Sequence, residues 1–347
     1  MAARVLFIGA SGNIGAAVLE ALVAAHPELL IEALVRSEQD SIFVKESYPK
    51  NISTSQGGLD DLVILEEKAS QADIVINCAP DVPYAKGFAS LLAGLSSSTS
   101  PKFFIQTSGA ARIWDAPDGS TPGRVWDDIA DFDSFPSLTT HAETDTQVFA
   151  AASATLHTAI VSPTFVVGRS PSRTHTAPIT FPYILRTVRD VGGGFVSGEG
   201  KNMTGFVDNQ VLAEIYVALV ADALRIIKGG DVNAEVWGPR AYYFASSLEL
   251  SFREFVEDYL LPSLKRCGGE NLLRNDEIKE IAQEDLTAMV IGSLGGIEAL
   301  WSRHIAEGFG TAMRVRASRA QKYLGVDVKG KGLPGLDDAV RATLRDL

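Results

Sequence analysis

Val5-Leu6-Phe7-Ile8-Gly9-Ala10-Ser11-Gly12-Asn13-Ile14-Gly15 runs an apolar stretch straight into three glycines spaced three apart, and Val18, Leu22 and Val23 follow at helical spacing. A strand, a glycine turn and a helix N-terminus in immediate succession make a site for a pyrophosphate. Bare backbone N–H groups and the positive end of the helix dipole both face the anion. In such a turn Gly9 allows the tight bend, Gly12 lets the phosphates reach the main chain, and Gly15 lets the helix pack close on the sheet. A glycine turn that merely ends a strand is the plainer alternative; the flanking strand and helix favour dinucleotide binding.

The same alternation continues downstream. Arg4–Gly9, Ile31–Val35, Asp73–Cys78, Lys102–Gln106 and Thr158–Val161 read as buried strands, with helical stretches at 13–26, 60–71, 83–95 and 142–154 between them. Strands alternating with helices predict an α/β fold of Rossmann type, a doubly wound parallel sheet. Past Pro163 the order weakens: 164–205 reads as loop, with Pro171, Pro178, Pro182 and Gly192-Gly193-Gly194. Helices are expected at Asn209–Leu224 and Ser251–Cys267, and over Ala282–Ile305 with breaks at Gly292 and Gly295-Gly296. A late strand is expected at Glu235–Ala245. The expected division is a dinucleotide-binding domain over 1–163 and a smaller C-terminal substrate-binding lobe over 164–347, with 206–245 returning to the sheet.

Composition narrows the partners. A net charge of −12 without any Lys/Arg cluster longer than a pair argues against nucleic acid and against an anionic membrane. Cys78 and Cys267 stand too far apart for a disulfide framework or a zinc pattern, which suits a reducing compartment. The longest apolar stretch, Ile215–Leu224, is short and carries Asp222, so no membrane span is expected. A soluble, cytoplasmic protein acting on a small molecule, with no resident metal, is the expectation; its oligomeric state is open.

Arg36 and Ser37 directly follow the second strand, where an acid would hydrogen-bond a ribose 2′-hydroxyl and an arginine accommodates a 2′-phosphate. This favours NADP(H) over NAD(H), the alternative being an ordinary exposed arginine. Further along come Gly57-Gly58-Leu59-Asp60-Asp61, Asn77-Cys78-Ala79, Gln106-Thr107-Ser108-Gly109, Val161-Ser162-Pro163-Thr164 and Phe206-Val207-Asp208-Asn209. In order and spacing, these stretches resemble the extended and atypical short-chain dehydrogenase/reductase superfamily, in its NAD-dependent epimerase/dehydratase-like or NmrA-like branches. The resemblance implies that Ser11, Gly12, Asn13 and Ile14 hold the pyrophosphate and that Leu59 lies beside the adenine. It places Cys78, Ala79 and Pro80 against the cofactor ribose, with Thr107 nearby, and Pro163 and Thr164 beside the nicotinamide. Ser108 would hydrogen-bond the substrate oxygen, or else simply cap a turn.

One departure is large. Active members of that superfamily carry Tyr-x-x-x-Lys on the helix after the Ser/Thr strand, yet Trp126–Ala154 holds neither tyrosine nor lysine. His141-Ala-Glu-Thr-Asp145 occupies the corresponding place with the same four-residue separation. Residues at i and i+4 share a helical face, so His141 could serve as acid/base while Asp145 accepts ribose hydroxyls and raises the histidine pKa. The plainer alternative is a solvated helix start capped by Thr139 or Thr140. Tyr183 and Trp301 are candidate substrate contacts, or core packing. Two classes of function follow: an NADP(H)-dependent oxidoreductase of a small or mid-sized apolar carbonyl compound, with an epimerase or isomerase as a variant, and a non-catalytic NADP-binding regulator of NmrA type.

Overall fold

The computed structural model describes residues 2–50, 52–81, 84–137, 139–292 and 296–347. Its first five strands are β1 (Arg4–Ile8), β2 (Leu30–Val35), β3 (Ile52–Gln56), β4 (Ile74–Asn77) and β5 (Lys102–Thr107). With Leu156–Pro163 and Tyr242–Ala245 they form one parallel sheet of seven strands. The spatial order runs from Tyr242–Ala245 through Leu156–Pro163, β5, β4, β1 and β2 to β3. The inner strands are buried on both faces, which is why they appear in the sequence as unbroken apolar runs. β3 is different: Ile-Ser-Thr-Ser-Gln lies at the sheet edge and carries no such signal.

Helices α1 (Asn13–Ala25), α2 (Glu38–Ser47), α3 (Leu62–Gln71), α4 (Ala85–Ser96) and α5 (Ala142–Ala151) connect these strands. Pro83, the first residue of the expected helix 83–95, lies outside the described residues. α1 packs against α7 (Asn209–Ile227), while α3 packs on α4 and α4 on α5, so the sheet is covered on both faces. β1 sits between β2 and β4, and each is reached by its own crossover. The winding therefore reverses there, and a crevice opens beyond the carboxyl ends of β1 and β4.

The chain downstream of Pro163 builds a second set of short pairings. Met203–Asp208 lies between Phe165–Val167 and Leu248–Ser251, and Gly194–Ser197 pairs with Ile278–Ile281. Arg314–Arg316 reaches back to Val125–Asp127. The loop reading of 164–205 is corrected by the strands Phe165–Val167, Gly194–Ser197 and the start of Met203–Asp208, and by a helix, α6, over Phe181–Val191. Pro182 sits in its first turn, where a missing N–H costs nothing, and Gly192 ends it with φ +76°. Those punctuating residues mark the helix ends instead of forbidding it. The late strand is shorter than expected, Tyr242–Ala245, because 231–241 is turn-rich. The expected helix Ala282–Ile305 is two helices, Gln283–Ile291 and Gly296–Gly310, and Gly295 lies outside the described residues. Among the described residues no helix is long and apolar enough to cross a membrane.

α3 and α4 touch backbone to backbone. A Cβ added at Gly94 would lie 2.3 Å from the Glu66 carbonyl oxygen and 2.9 Å from Ala69 Cβ. Helix propensity alone favours alanine over glycine by about 1 kcal/mol. Gly94→Ala is nevertheless expected to destabilise the protein by roughly 1–3 kcal/mol through overpacking. A denaturant midpoint that rises would show that propensity wins and the close packing is wrong.

Candidate active site

The fingerprint turn closes on the β4 turn. Gly9 has φ +85°, and a Cβ there would stand 2.7 Å from both Ala79 N and the Cys78 carbonyl carbon. A Cβ on Gly15 would fall 2.0 Å from the Gly9 carbonyl oxygen. Gly12 meets only that same oxygen, at 3.2 Å, so its outer side is open. α1 has no side-chain cap and no acid in its first turn. Its leading N–H groups thus remain available to an anion, and the turn fits a dinucleotide pyrophosphate.

A segment from the far side of the sheet straps this loop in place. Ser172 Oγ donates to the Ser11 carbonyl at 2.6 Å and Ser170 Oγ to the Asn13 carbonyl at 2.9 Å. Asn13 Nδ2 donates to the His175 and Thr176 carbonyls at 3.2 and 3.1 Å, and Asn209 Nδ2 donates to Asn13 Oδ1 at 2.7 Å. Asn13 therefore positions the loop through its side chain. Sequence reading gave Asn13 to the pyrophosphate and had no means of seeing partners more than 150 residues away.

Arg36 is exposed beyond β2 and has no ion-pair partner among the described residues. Ser37 caps α2: its hydroxyl accepts from Asp40 N at 3.1 Å and donates to Asp40 Oδ2 at 2.7 Å. Leu59 is half-buried, and its carbonyl oxygen lies 2.3 Å from where a Gly87 Cβ would be. Cys78 and Ala79 form the wall against Gly9, and Pro80 is exposed. Burial pushes the Cys78 thiol up to about 12, which makes it a packing group at neutral pH. Thr107 Oγ1 bonds Tyr216 OH at 2.7 Å, while Pro163 and Thr164 pair with Ala245 at the end of their strand.

Beyond β5 the candidate acid/base groups come together. His141 is the N-cap of α5 in place of the expected Thr139 or Thr140, and its φ of +70° is unique among the described non-glycine residues. That left-handed backbone is strained for a side-chain-bearing residue. Here it lifts the imidazole out of the helix, so that Nδ1 lies 2.7 Å from Asp81 Oδ2. Thr144 Oγ1 donates to the same oxygen at 2.6 Å. The other ring nitrogen, Nε2, faces the main chain just past Ser108: a Cβ on Gly109 would be 2.7 Å from it.

The electrostatics follow from that pairing. Burial works to raise the Asp81 carboxyl, but the His141 hydrogen bond and charge, with Thr144, hold it below the usual carboxylate range. Burial works to lower the His141 pKa, yet Asp81 and then Asp145 raise it above the ordinary imidazole value. An imidazole held by a carboxylate through Nδ1 keeps Nε2 for proton exchange. Asp145, one turn into α5, is fully buried. Burial pushes it up to about 7, against the pull of His141, Ser108 and Arg112. Arg112 Nε is 3.7 Å away, and neither Asp145 oxygen nor Ser108 Oγ completes a well-formed hydrogen bond.

Aromatic groups complete the surroundings. His304 stacks on Trp114 at 4.5 Å between ring centroids, and Trp301 meets His304 edge-on at 6.0 Å. Burial and then the neighbouring His141 charge drop His304 to about 4, so it stays neutral. Tyr183, on α6, is half-buried against the core. Asp81, Thr144, Arg112 and Trp114 escape sequence reading. A lone acid just beyond the carboxyl end of a buried parallel strand is the one signal that could have found Asp81.

No protein-family model matches the chain. Oxidase ucsJ of an Acremonium species is 26% identical over 264 residues, covering 72% of this chain and 75% of that protein. Among solved structures, UDP-glucose 4-epimerase of Thermotoga maritima superposes with a TM-score of 0.63 at 14% identity, over 99% of each chain. The dTDP-glucose 4,6-dehydratase DesIV of Streptomyces venezuelae gives 0.65 at 16%, over 99% of this chain and 97% of that one. Yeast methylglyoxal/isovaleraldehyde reductase Gre2, complexed with NADPH, gives 0.62 at 13%, over 99% and 98%. The chain thus has the Rossmann-type fold shared by NAD-dependent epimerases and dehydratases and by extended short-chain reductases.

A buried carboxyl whose folded-state pKa is raised contributes stability below its unfolded value of about 4 and loses it as pH climbs through about 7. For Asp145 the loss is on the order of 3–4 kcal/mol. Asp145→Asn removes that titration. The difference in thermal midpoint between variant and parent is expected to move in the variant's favour between pH 4.5 and pH 8. A pH-independent difference would mean that Asp145 is ionised throughout.

Proposed function

We propose that the chain is an NADP(H)-dependent oxidoreductase that reduces an apolar carbonyl compound, with His141 in the place of the usual tyrosine acid and Asp81 setting its tautomer and charge. The observation carrying this reading is the 2.7 Å Asp81–His141 contact beside Ser108, at the carboxyl end of the sheet and next to the phosphate-binding turn. The likeness to an oxidase in sequence and to NADPH- and NAD-bound enzymes in fold supports the class.

The backbone N–H groups of Gly9–Gly15 would hold a nicotinamide nucleotide, which would supply the hydride, and Arg36, with no ion-pair partner among the described residues, would receive a 2′-phosphate. Ser108 Oγ, buried and completing no well-formed hydrogen bond among the described residues, orients the carbonyl oxygen. His141 Nε2 gives its proton to that oxygen as the alcohol forms, and Nδ1–H stays on Asp81. Asp145 keeps positive charge on His141 favourable and, being fully buried, stands behind it. That position replaces the ribose-contacting role expected from its place in the sequence.

With NADPH and a panel of aldehydes and ketones, His141→Ala is expected to lose roughly 10²–10⁴-fold in kcat/KM while nucleotide affinity changes little. Unchanged turnover would overturn the assignment. A chain that binds NADPH yet turns over no carbonyl would be a sensor.

Reduction needs protonated His141, so its rate should fall as pH rises through the raised His141 pKa. Asp81→Asn removes the charge that holds that pKa up, and the inflection should move to lower pH. Arg36→Ala should weaken NADPH and leave NADH unaffected; an equal loss for both would remove Arg36 from the 2′-phosphate site.

A further inference from the structure

The left-handed backbone at His141 persists only because its surroundings over-determine it. Ala142 N donates to the Thr139 carbonyl at 3.1 Å and closes a four-residue turn. His141 is third in that turn, the position where a type II turn requires positive φ and glycine is usual. On the helix side, Asp145 N donates to the His141 carbonyl at 2.9 Å.

The other side is held by Arg112. Its Nη1 donates to Thr139 Oγ1 at 3.1 Å, and that hydroxyl donates back to the Arg112 carbonyl at 3.1 Å. Arg112 is 8% exposed and lies in the short turn Ala110–Ile113 that follows Ser108 and Gly109. A Cβ on Gly109 would stand 2.7 Å from His141 Nε2, so the segment that meets the imidazole ring also anchors the backbone carrying it. Arg112 Nε makes no hydrogen bond among the described residues and lies 3.7 Å from Asp145 Oδ2. One buried guanidinium thus spans the start of α5, from Thr139 to Asp145.

We infer that Arg112 and Thr139 are positioning residues, a clamp whose reciprocal hydrogen bonds hold the turn that aims His141 Nδ1 at Asp81. Its consequence for turnover rests on the reductase reading above; its consequence for the imidazole does not.

The charged and titratable groups facing His141 are Asp81, Asp145 and Arg112, with His304 from the helix Gly296–Gly310. Burial pulls the imidazole down, and the Asp81 hydrogen bond and charge do most to hold it up. A loosened turn draws the ring from Asp81 while it stays buried, so the His141 pKa should fall with no charge altered.

The test follows the imidazole by NMR in the full chain, whose five histidines allow the His141 signal to be assigned with His141→Ala. Thr139→Val removes the hydroxyl, Thr139→Ser keeps it, and Arg112→Lys keeps the charge but loses the planar fork. Thr139→Val and Arg112→Lys should each lower the His141 titration midpoint by roughly one pH unit, while Thr139→Ser stays at the parent value. With NADPH and the carbonyl panel, the same two variants should lose roughly tenfold or more in kcat at unchanged nucleotide affinity, and the inflection of rate with pH should move down with the NMR midpoint. A hydroxyl that serves stability alone would lower the thermal midpoint and leave the titration in place. A parent-like His141 midpoint in Thr139→Val therefore overturns the clamp, and that variant decides even where Arg112→Lys fails to fold. A lowered midpoint in a chain that reduces no carbonyl sustains the clamp and overturns the reductase reading.

Discussion

Two turns of main chain pressed together at the middle of the sheet organise everything downstream. Gly9 lies against Cys78 and Ala79 so closely that no side chain fits between them, and Gly15 brings α1 onto the same spot. The contact fixes where the β4 turn points. Asn77 reinforces it by accepting from Ala79 N at 3.2 Å and donating to Gln106 Oε1 at 3.0 Å, which ties the ends of β4 and β5 together. Asp81 emerges from that turn into the crevice beside Ser108, and both the anion site and the carboxylate of the acid/base pair are set by one piece of packing.

In the proposed reading the Asp81–His141 pair would take the place of a tyrosine and a lysine by a different physical route. A lysine near a phenol lowers the phenol's pKa, which populates the deprotonated form that can act as a base. A carboxylate near an imidazole raises the imidazole's pKa, which keeps populated the protonated form that can act as an acid. Asp145 works in the same sense from behind, and its own tendency to stay protonated limits how much negative charge the buried pair must carry. His304 carries no charge at neutral pH and adds no competing cation. The centre thus keeps His141 protonated to higher pH, the form that the proposed reduction of a carbonyl would need.

Much of the fold was legible because it is written in short-range patterns. Buried parallel strands show as apolar runs, the glycine turn shows as spacing, and the long helix α7 shows as periodicity. β3 was invisible because an edge strand needs no apolar face, and α6 was hidden by a proline and a glycine that mark its two ends. The site was legible in part. Ser108, His141 and Asp145 could be picked out by position along the chain, and the structure brings them together. Asp81 could not, since its partner lies 60 residues away and only the stacking of β4 beside β5 makes them neighbours.

The strap over the phosphate loop extends the same logic. Ser170, Ser172 and His175 follow the strand that ends at Pro163, and they grip the carbonyls of Ser11 and Asn13, whose N–H side faces the crevice. A loop held by its carbonyls presents its amides in fixed directions, so part of the ordering cost of binding an anion is met during folding. Arg173 continues the strap to α2, packing over Phe43 and pairing with Glu46 at 3.1 Å. That exposed pair adds little energy, but it ties the glycine turn and α2 to the segment that follows Pro163. The glycine turn and the Asp81–His141 pair are thereby both built at the carboxyl edge of the sheet from chain segments far apart in sequence.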